Sequence, residues 1–541
     1  MHTTAQQIAY RHTGYFTDIV ISYLQGDPLL QPFYQYAPDW EGLDKAIAAR
    51  KETVVDRKLL TEVLREQYQT CSPIAAVQQN IDLLAQPNTF SVTTAHQPNL
   101  FTGPLYFIYK CLHAVKLAQA LQLRHPNQHF VPVYYMGSED ADLEEIGQLT
   151  VGGIKLVWQT KQTGAVGRMK VDQPLLDMIA QMEGQTGVEP FGKELSGMWR
   201  TCFTKGKTIA QATHELVHLL MGAYGLVVFN ADHPRLKAAF IPTLWQELTT
   251  QFSHQAVATS ISALSQHFKA QAAGRDINLF YLLNDRRERI EKEGDHFTVP
   301  ALQLRFTEAE MEKECRTHPE RFSPNVILRG VLQETLLPNV AFIGGGGELA
   351  YWLELLPVFR SAKQPFPVLL LRNSFLLLSE LQNTKWLQTG FSLHEMFTPV
   401  GELITQLAKK EAASSLELTK EKNDLLALYK TLQQRAAAVD GSLLQHVEAL
   451  QKAALEKVEA LEKKMLRAEK RKYKESEYRI THIRENIFPN GQLQERVENM
   501  ALGYARYGKD WINTLLVYSD PISQGLTIVT FHDNHSSAAS N

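Results

Sequence analysis

Apolar and polar positions change period along this chain, and each change marks an element. Phe90, Val92 and Thr94 alternate as in a strand with one buried face. A loop follows, His96-Gln97-Pro98-Asn99-Leu100-Phe101, and then Leu105, Ile108, Leu112 and Val115 recur at helical spacing. Thr102 or Gly103 is placed to cap that helix, and Pro104 suits its first turn because its missing N–H would be unpaired there anyway. The free N–H groups of such a helix point back at the loop, a geometry suited to an anion or a nucleotide phosphate. The next apolar stretch, Val131 to Met136, completes a strand–helix–strand unit and predicts a parallel sheet. Pro132 is expected at the start of its strand, since a proline inside would remove a ladder donor.

The same alternation returns further on. An amphipathic helix over 207–222 leads into a strand at Leu226 to Phe229. Val340 to Ile343 reads as a short buried strand, with Gly344 to Gly347 and then a helix bearing Leu349, Trp352, Leu353 and Leu356. Pro367 to Leu371 adds another strand, ending at Arg372, Asn373 and Ser374. Residues 1–88 read as mainly helical, 150–200 as a small β-containing insertion with a helical return, and 275–306 as an antiparallel meander. The charged run 284–295 inside that meander reads as a solvated hairpin rim. From about Glu402 the pattern becomes heptad-like: Leu418, Leu425, Leu432 and Val439, then, past Asp440-Gly441, Leu443, Val447, Leu450, Ala454, Val458, Leu461, Met465 and Ala468. This predicts two long helices in an antiparallel coiled coil, with the basic stretch Lys470 to Lys474 continuing the second. A turn at Pro489-Asn490-Gly491 precedes another helix, LTIVTF forms a last strand, and the polar tail after His532 should fray.

Candidate chemistry sits where these strands end. Ligands of open parallel sheets bind outside the carboxyl ends of the strands. His96 and Gln97 hold such a position, as do Glu139 and Asp140 (with Ser138 as the cap of a short acidic helix), and Asp232. Four consecutive glycines at a strand-to-helix junction let a ligand approach backbone closely, take positive φ, and form an anion-holding nest. HELVH, His214 to His218, matches the zinc-protease pattern HExxH, but it lies on the amphipathic packing helix and lacks the extended pattern, so no metal site is assigned.

Composition narrows the class. At 541 residues the chain exceeds one core and suits two to four domains of roughly 100–200 residues. A net charge of −3 supplies no broad field for nucleic acid or an anionic membrane. Cys71, Cys111, Cys202 and Cys315 are scattered, with no CxxC pair, as in a reducing compartment. The start of the chain lacks the apolar core of a signal peptide, and the apolar stretch Pro367 to Leu378 is broken by Arg372, Asn373 and Ser374. A cytoplasmic protein is expected, with neither membrane nor nucleic acid as partner.

HQPNLFTGPLYFIYK, VPVYYMGSEDADLEEI, FIGGGGELAYWLEL and FPNGQLQERVEN, in this order with a coiled coil before the last, resemble the cysteine-adding enzyme (cysteine ligase) family of bacillithiol biosynthesis over residues 10–531. The resemblance implies an α/β fold with a Rossmann-type core related to class I aminoacyl-tRNA synthetases and nucleotidyltransferases. That core would span 1–400 with insertions near 150–200 and 275–325, followed by a coiled coil over 401–485 and a returning segment over 486–541. It implies a coiled-coil homodimer, adenine nucleotide binding, and amide formation between the carboxyl of cysteine and the amine of glucosaminyl malate. Where class I synthetases carry the last histidine of HxGH, this chain has Asn99, and no KMSKS-like loop is visible. On this reading His96, Gln97, Thr102 and Asp140 are catalytic, with His96 as candidate base. Asn99, Gly103, Tyr106, Glu139, Asp232, Glu348 and Tyr351 bind substrate. Gly344, Gly345, Gly346, Gly347, Lys474 and Asn490 contact nucleotide. The alternatives are a nucleotidyltransferase acting on a small acid and a metabolite-binding dimer without turnover.

Overall fold

A computed structural model describes residues 2–271, 274–412, 416–522 and 524–532; the frayed tail expected after His532 lies outside the described residues. The chain forms two compact units, Met1–Leu377 with Gln492–Asn541, and Leu378–Gly491.

The first unit is built on a five-stranded parallel sheet. Its strands, first to fifth in chain order, are Thr89–His96, His129–Met136, Val227–Asn230, Asn339–Gly344 and Val368–Leu371. Across the sheet they lie in the order fifth, fourth, first, second, third. The first strand is buried on both faces rather than one: Ser91 and Thr93 are as covered as Phe90 and Val92. Helices cover both faces of a parallel sheet, so the alternation seen in the sequence does not mark a wet face. Phe90, Val92, Val340, Ile343, Val368 and Leu370 pack with Leu43, Ala46 and Ile47 of the helix Trp40–Lys51 and with Ala114, Leu117 and Leu121 of the helix Tyr106–Arg124.

Several expectations are corrected here. Pro132 lies inside an interior strand, opposite Val92. The ladder to the third strand begins only at Val133, so the missing N–H removes nothing on that side. The N-terminal segment is mainly helical, as expected, with one strand, His2–Ala9, that runs antiparallel to the last strand, Gly525–His532. The region 279–307 forms parts of two three-stranded sheets instead of one meander; Leu279–Leu283 pairs with both Arg286–Arg289 and Phe322–Pro324. Asp142, not Ser138, caps the short helix Leu143–Ile146, while Ser138 Oγ donates to Asn230 at 2.6 Å. No helix starts directly after Gly491. A 3₁₀ turn, Gln494–Arg496, comes before the helix Ala501–Tyr507.

In the second unit the helices Thr419–Val439 and Leu443–Lys470 run antiparallel, with Ser442 N–H donating to Asp440 Oδ1 at 2.8 Å in the turn. Lys422 reaches Glu462 at 2.6 Å and Gln433 reaches Gln451 at 3.0 Å, as antiparallel pairing requires. Neither long helix has a fully buried side chain among the described residues, and Leu428, Leu450 and Leu461 stay about half exposed.

Candidate functional site

The first and fourth strands are neighbours, and the chain leaves them toward opposite edges of the sheet. Their carboxyl ends therefore flank a switch-point crevice. A cavity of about 400 Å³ opens there, lined by His96, Gln97, Gly137, Gly345, Gly346, Gly347 and Arg372 from the strand ends, and by Tyr106 and Lys110 one helical turn apart. Asp140, Glu145, Glu348, Tyr351, Asn325, Arg329 and Arg496 complete the polar wall.

Lys110 clips the two strand ends together. It is buried, donates to Ala95 O at 3.0 Å, and forms an ion pair with Glu348. Glu348 in turn accepts the Gly345 N–H at 2.8 Å. Burial would raise the Glu348 carboxyl, but Lys110 and that N–H outweigh it and hold the group below the usual carboxylate range. A lysine two turns into a helix reads in the sequence as a surface charge; here it is a buried strut.

His96 faces two partners, Gln97 O from Nδ1 at 3.2 Å and the Tyr106 hydroxyl from Nε2 at 3.3 Å. A carbonyl cannot donate, so the proton belongs on Nδ1, and Nε2 accepts from Tyr106. Burial, reinforced by Lys110, pulls the imidazole pKa down to about 3. His96 is therefore neutral but weakly basic. Its carbonyl is fixed as well, accepting from Gly137 N at 2.7 Å and from the Tyr134 hydroxyl at 3.2 Å.

Arg372, just past the fifth strand, donates to Glu495 at 2.6 Å, with side chains 5% and 1% exposed. The same carboxylate accepts from Ser374 Oγ at 3.1 Å and Phe375 N at 3.3 Å. This buried pair anchors the turn Gln494–Arg496 and so brings Arg496 to the cavity. Arg329, from the helix Val326–Leu336, lies 5.5 Å from the Tyr135 ring and 5.8 Å from the Phe342 ring, and donates to the Tyr351 hydroxyl at 3.1 Å.

The glycine turn differs from the expected nest. None of Gly344 to Gly347 has positive φ. Gly344 ends the strand, Gly345 is the N-cap, and Gly346 and Gly347 open the helix Gly346–Trp352. What the turn provides is room. A Cβ on Gly347 would meet nothing within 4 Å, whereas one on Gly345 would stand 3.5 Å from the Glu348 carboxylate.

Two family models match the chain. They are described as the BshC N-terminal Rossmann-like domain of bacillithiol biosynthesis, over residues 3–373, and the BshC C-terminal coiled-coil domain, over residues 375–531. The chain belongs to the BshC family. A relative from Christiangramia forsetii is 37% identical over 532 residues, covering 97% of this chain and 98% of its own. One from Flavobacterium johnsoniae is 36% identical over 525 residues (97% and 99%), and one from Chlorobaculum tepidum 28% over 491 residues (85% and 86%). All three carry the name "Putative cysteine ligase BshC". A solved structure titled as that of a "putative arginyl t-RNA synthetase" from Campylobacter jejuni covers 82% of this chain and 100% of its own, at 11% identity and a TM-score of 0.19, too low to carry an argument.

Within this BshC chain, nine of the residues proposed from the sequence line one cavity: His96, Gln97, Tyr106, Asp140, Gly345, Gly346, Gly347, Glu348 and Tyr351. Others are placed elsewhere. Thr102 and Gly103 do not cap the helix, which begins at Tyr106 without a side-chain cap. Phe101 and Thr102 take positive φ, and the loop turns inward so that Phe101 packs on Phe203 at 4.5 Å. Leu105 N–H donates to Glu498 O at 2.8 Å and Phe107 N–H to Pro104 O at 3.0 Å, so these donors serve the fold. Asn99 lies under Gly103, where a Cβ would come within 2.5 Å of its amide. Glu139 and Asp232 are committed to a buried network: Glu139 pairs with Lys237, and Asp232 takes a bidentate contact from Arg168 at 2.7 Å. Lys474, first residue of the helix Lys474–Ile487, and Asn490, at φ 54° in the turn Pro489–Gly491, belong to the second unit.

In the HELVH stretch, His218 Nε2 bonds Ser72 O at 2.7 Å and Glu215 pairs with Lys207 at 2.6 Å. No group of three or more metal-binding side chains occurs among the described residues, nor is any helix of these residues long and apolar enough to cross a membrane. The charged run 284–295 is not all rim. Arg287 stacks over Phe280 at 4.0 Å and reaches Asp140 at 3.7 Å.

Proposed function

We propose that this BshC protein is an amide-forming ligase that joins the carboxyl of cysteine to the amine of glucosaminyl malate, with the switch-point cavity as its reaction site. The observation that carries the reading is a cavity holding both signs of charge around a neutral imidazole, in a chain similar along nearly its whole length to proteins named cysteine ligases.

A free carboxylate does not acylate an amine in water without activation. An adenine nucleotide, as the family resemblance implies, is the co-substrate that supplies a leaving group on the cysteine carboxyl. The open space over Gly347, beside Gly346, fits close approach of such a ligand to backbone. The chain's own residues have three tasks. One is to take a proton from the acceptor ammonium so that its lone pair is free. His96, with a pKa near 3, is a poor acceptor at neutral pH. Glu145 is better suited: it lines the cavity, and burial together with Asp142 and Asp140 pushes its carboxyl up. The second task is to steady the oxyanion of the tetrahedral intermediate. Arg372, which lines the cavity beside Tyr106 at 5.3 Å, has its net charge balanced by Glu495 and serves as a rigidly held guanidinium donor for it. The third is orientation, for which Gln97, Asp140 and Tyr351 offer hydrogen bonds to sugar hydroxyls. His96, locked by Gln97 and Tyr106, is then a positioning residue.

The half-exposed leucines of the coiled coil support a homodimer formed by a second copy of this chain.

The test is mass spectrometry of products after incubating the pure protein with glucosaminyl malate and cysteine, with and without ATP. Bacillithiol formed only with ATP, alongside AMP or ADP, is the expected result. No product in either tube sinks the self-sufficient ligase.

A further inference from the structure

Among the charged groups on the cavity wall, most are already matched. Lys110 is neutralised by Glu348 and Arg372 by Glu495, while Asp140 faces Arg287 at 3.7 Å. Three are not: among the described residues, no oppositely charged side chain pairs with Arg329, Arg496 or Glu145. The unmatched charge is two guanidiniums and one carboxylate around a single cavity. Its complement is a ligand with two carboxylates and one ammonium.

We infer that Arg329 and Arg496 are the specificity-determining residues of the site and read a dicarboxylate on the amino-sugar acceptor, while Glu145 faces its amine. The inference rests on the ligase reading above and adds to it which side chains select the acceptor. Arg329 is prepared for the role. The Tyr135 and Phe342 rings and the Tyr351 hydroxyl fix its plane, so little freedom is lost when its remaining N–H groups take a carboxylate. Arg496 is exposed, but its turn is held by the buried Glu495–Arg372 pair, which presents it at the cavity wall. An acceptor lacking the carboxylate that Arg329 takes leaves this half-buried guanidinium without a partner, and a site built for a polar group rejects the analogue lacking it, whereas an unpaired Arg496 is still met by water.

The shared chemistry is an anion, which a nucleotide phosphate also provides, so the experiment separates the two. Calorimetric binding is measured on the full chain with three probes: glucosaminyl malate, its analogue with lactate replacing malate, and ATP. The proteins are the parent, R329Q, R329K and R496Q. Loss of a charge-assisted hydrogen bond predicts a weakening for glucosaminyl malate of about 10- to 100-fold in R329Q and about 10-fold in R496Q. R329K should recover only part, because an ammonium lacks the planar fork. The preference of the parent for the malate over the lactate compound should narrow in each variant, and ATP affinity should stay unchanged. Loss of ATP binding with glucosaminyl malate affinity intact would assign the guanidiniums to phosphate and overturn the inference. Parent-like affinity and discrimination in R496Q and R329Q overturn it as well. Failure of the parent itself to bind glucosaminyl malate would bring down the ligase reading instead. R496Q alters an exposed side chain, so it keeps the test open if R329Q fails to fold.

Discussion

Replacing Lys110 by methionine tests whether the site is held together by the buried clip between the first and fourth strands. The lysine side chain is 3% exposed and the Glu348 carboxylate 23% exposed. Removing one member of a buried ion pair costs about 3–5 kcal/mol, because the other charge is left without its partner. Partial contact of Glu348 with the cavity gives water some access to it, so the lower end, about 3 kcal/mol, is expected at pH 7.5. The effect should depend on pH in a defined direction. In the parent, Glu348 titrates below its unfolded value of about 4.3. Its contribution is therefore complete above that value and lost as the pH falls through the folded one. In K110M the burial remains and the lysine does not, so the carboxyl shifts up and takes a proton more readily. The destabilisation should be largest above neutral pH and shrink toward pH 5. K110M/E348Q should be more stable than K110M, since no unpaired carboxylate remains. Urea unfolding followed by tryptophan fluorescence at pH 5, 6 and 7.5 reads all three effects. A K110M protein within 1 kcal/mol of the parent at pH 7.5, with no pH trend, would refute the clip.

Glu145→Gln should lower turnover by about 100-fold or more and remove the acid limb of the pH–rate profile, which in the parent falls as the pH drops through the raised Glu145 pKa; steady-state rates from pH 5 to 9 decide it. Arg372→Met should destabilise the first unit by about 3–5 kcal/mol, and Arg372→Met with Glu495→Leu should recover part of that loss, as denaturant titration will show. His218→Ala should cost about 1–2 kcal/mol through the lost bond to Ser72 O and leave product formation intact; a stoichiometric zinc lost in this variant would revive the metal reading of HELVH. Leu432→Glu with Leu450→Glu should convert a dimer into a monomer by light scattering while the parent stays dimeric.

The position of the candidate cavity was legible in the sequence because it depends on strand order and strand ends, which local patterning reveals. Counting carboxyl termini of apolar strands leads to His96, Gln97, Asp140 and the glycine turn, and the switch point between the first and fourth strands gathers them. Arg372 was equally reachable by that rule, sitting one residue past a strand. The loop between Pro98 and Pro104 was not reachable, since Thr102 and Gly103 look like caps until tertiary packing draws Leu100 and Phe101 inward. Long-range pairing hid the rest. Lys110 looks like a surface lysine until Glu348 is brought to it from 238 positions away, and nothing local ties Glu495 to Arg372.

Pairing also decides which strand-end residues are free to act. Glu139 and Asp232 stand where the strand-end rule puts a ligand contact, yet Lys237 and Arg168 already neutralise them. Arg329 and Arg496 come from a helix and a turn that no strand-end rule visits, and on the cavity wall they are the cations that no carboxylate pairs with among the described residues. Strand topology therefore locates the crevice, but the counter-ions supplied from distant segments determine its net charge. It is that remaining charge, two guanidiniums against one carboxylate, that the cavity presents to a ligand.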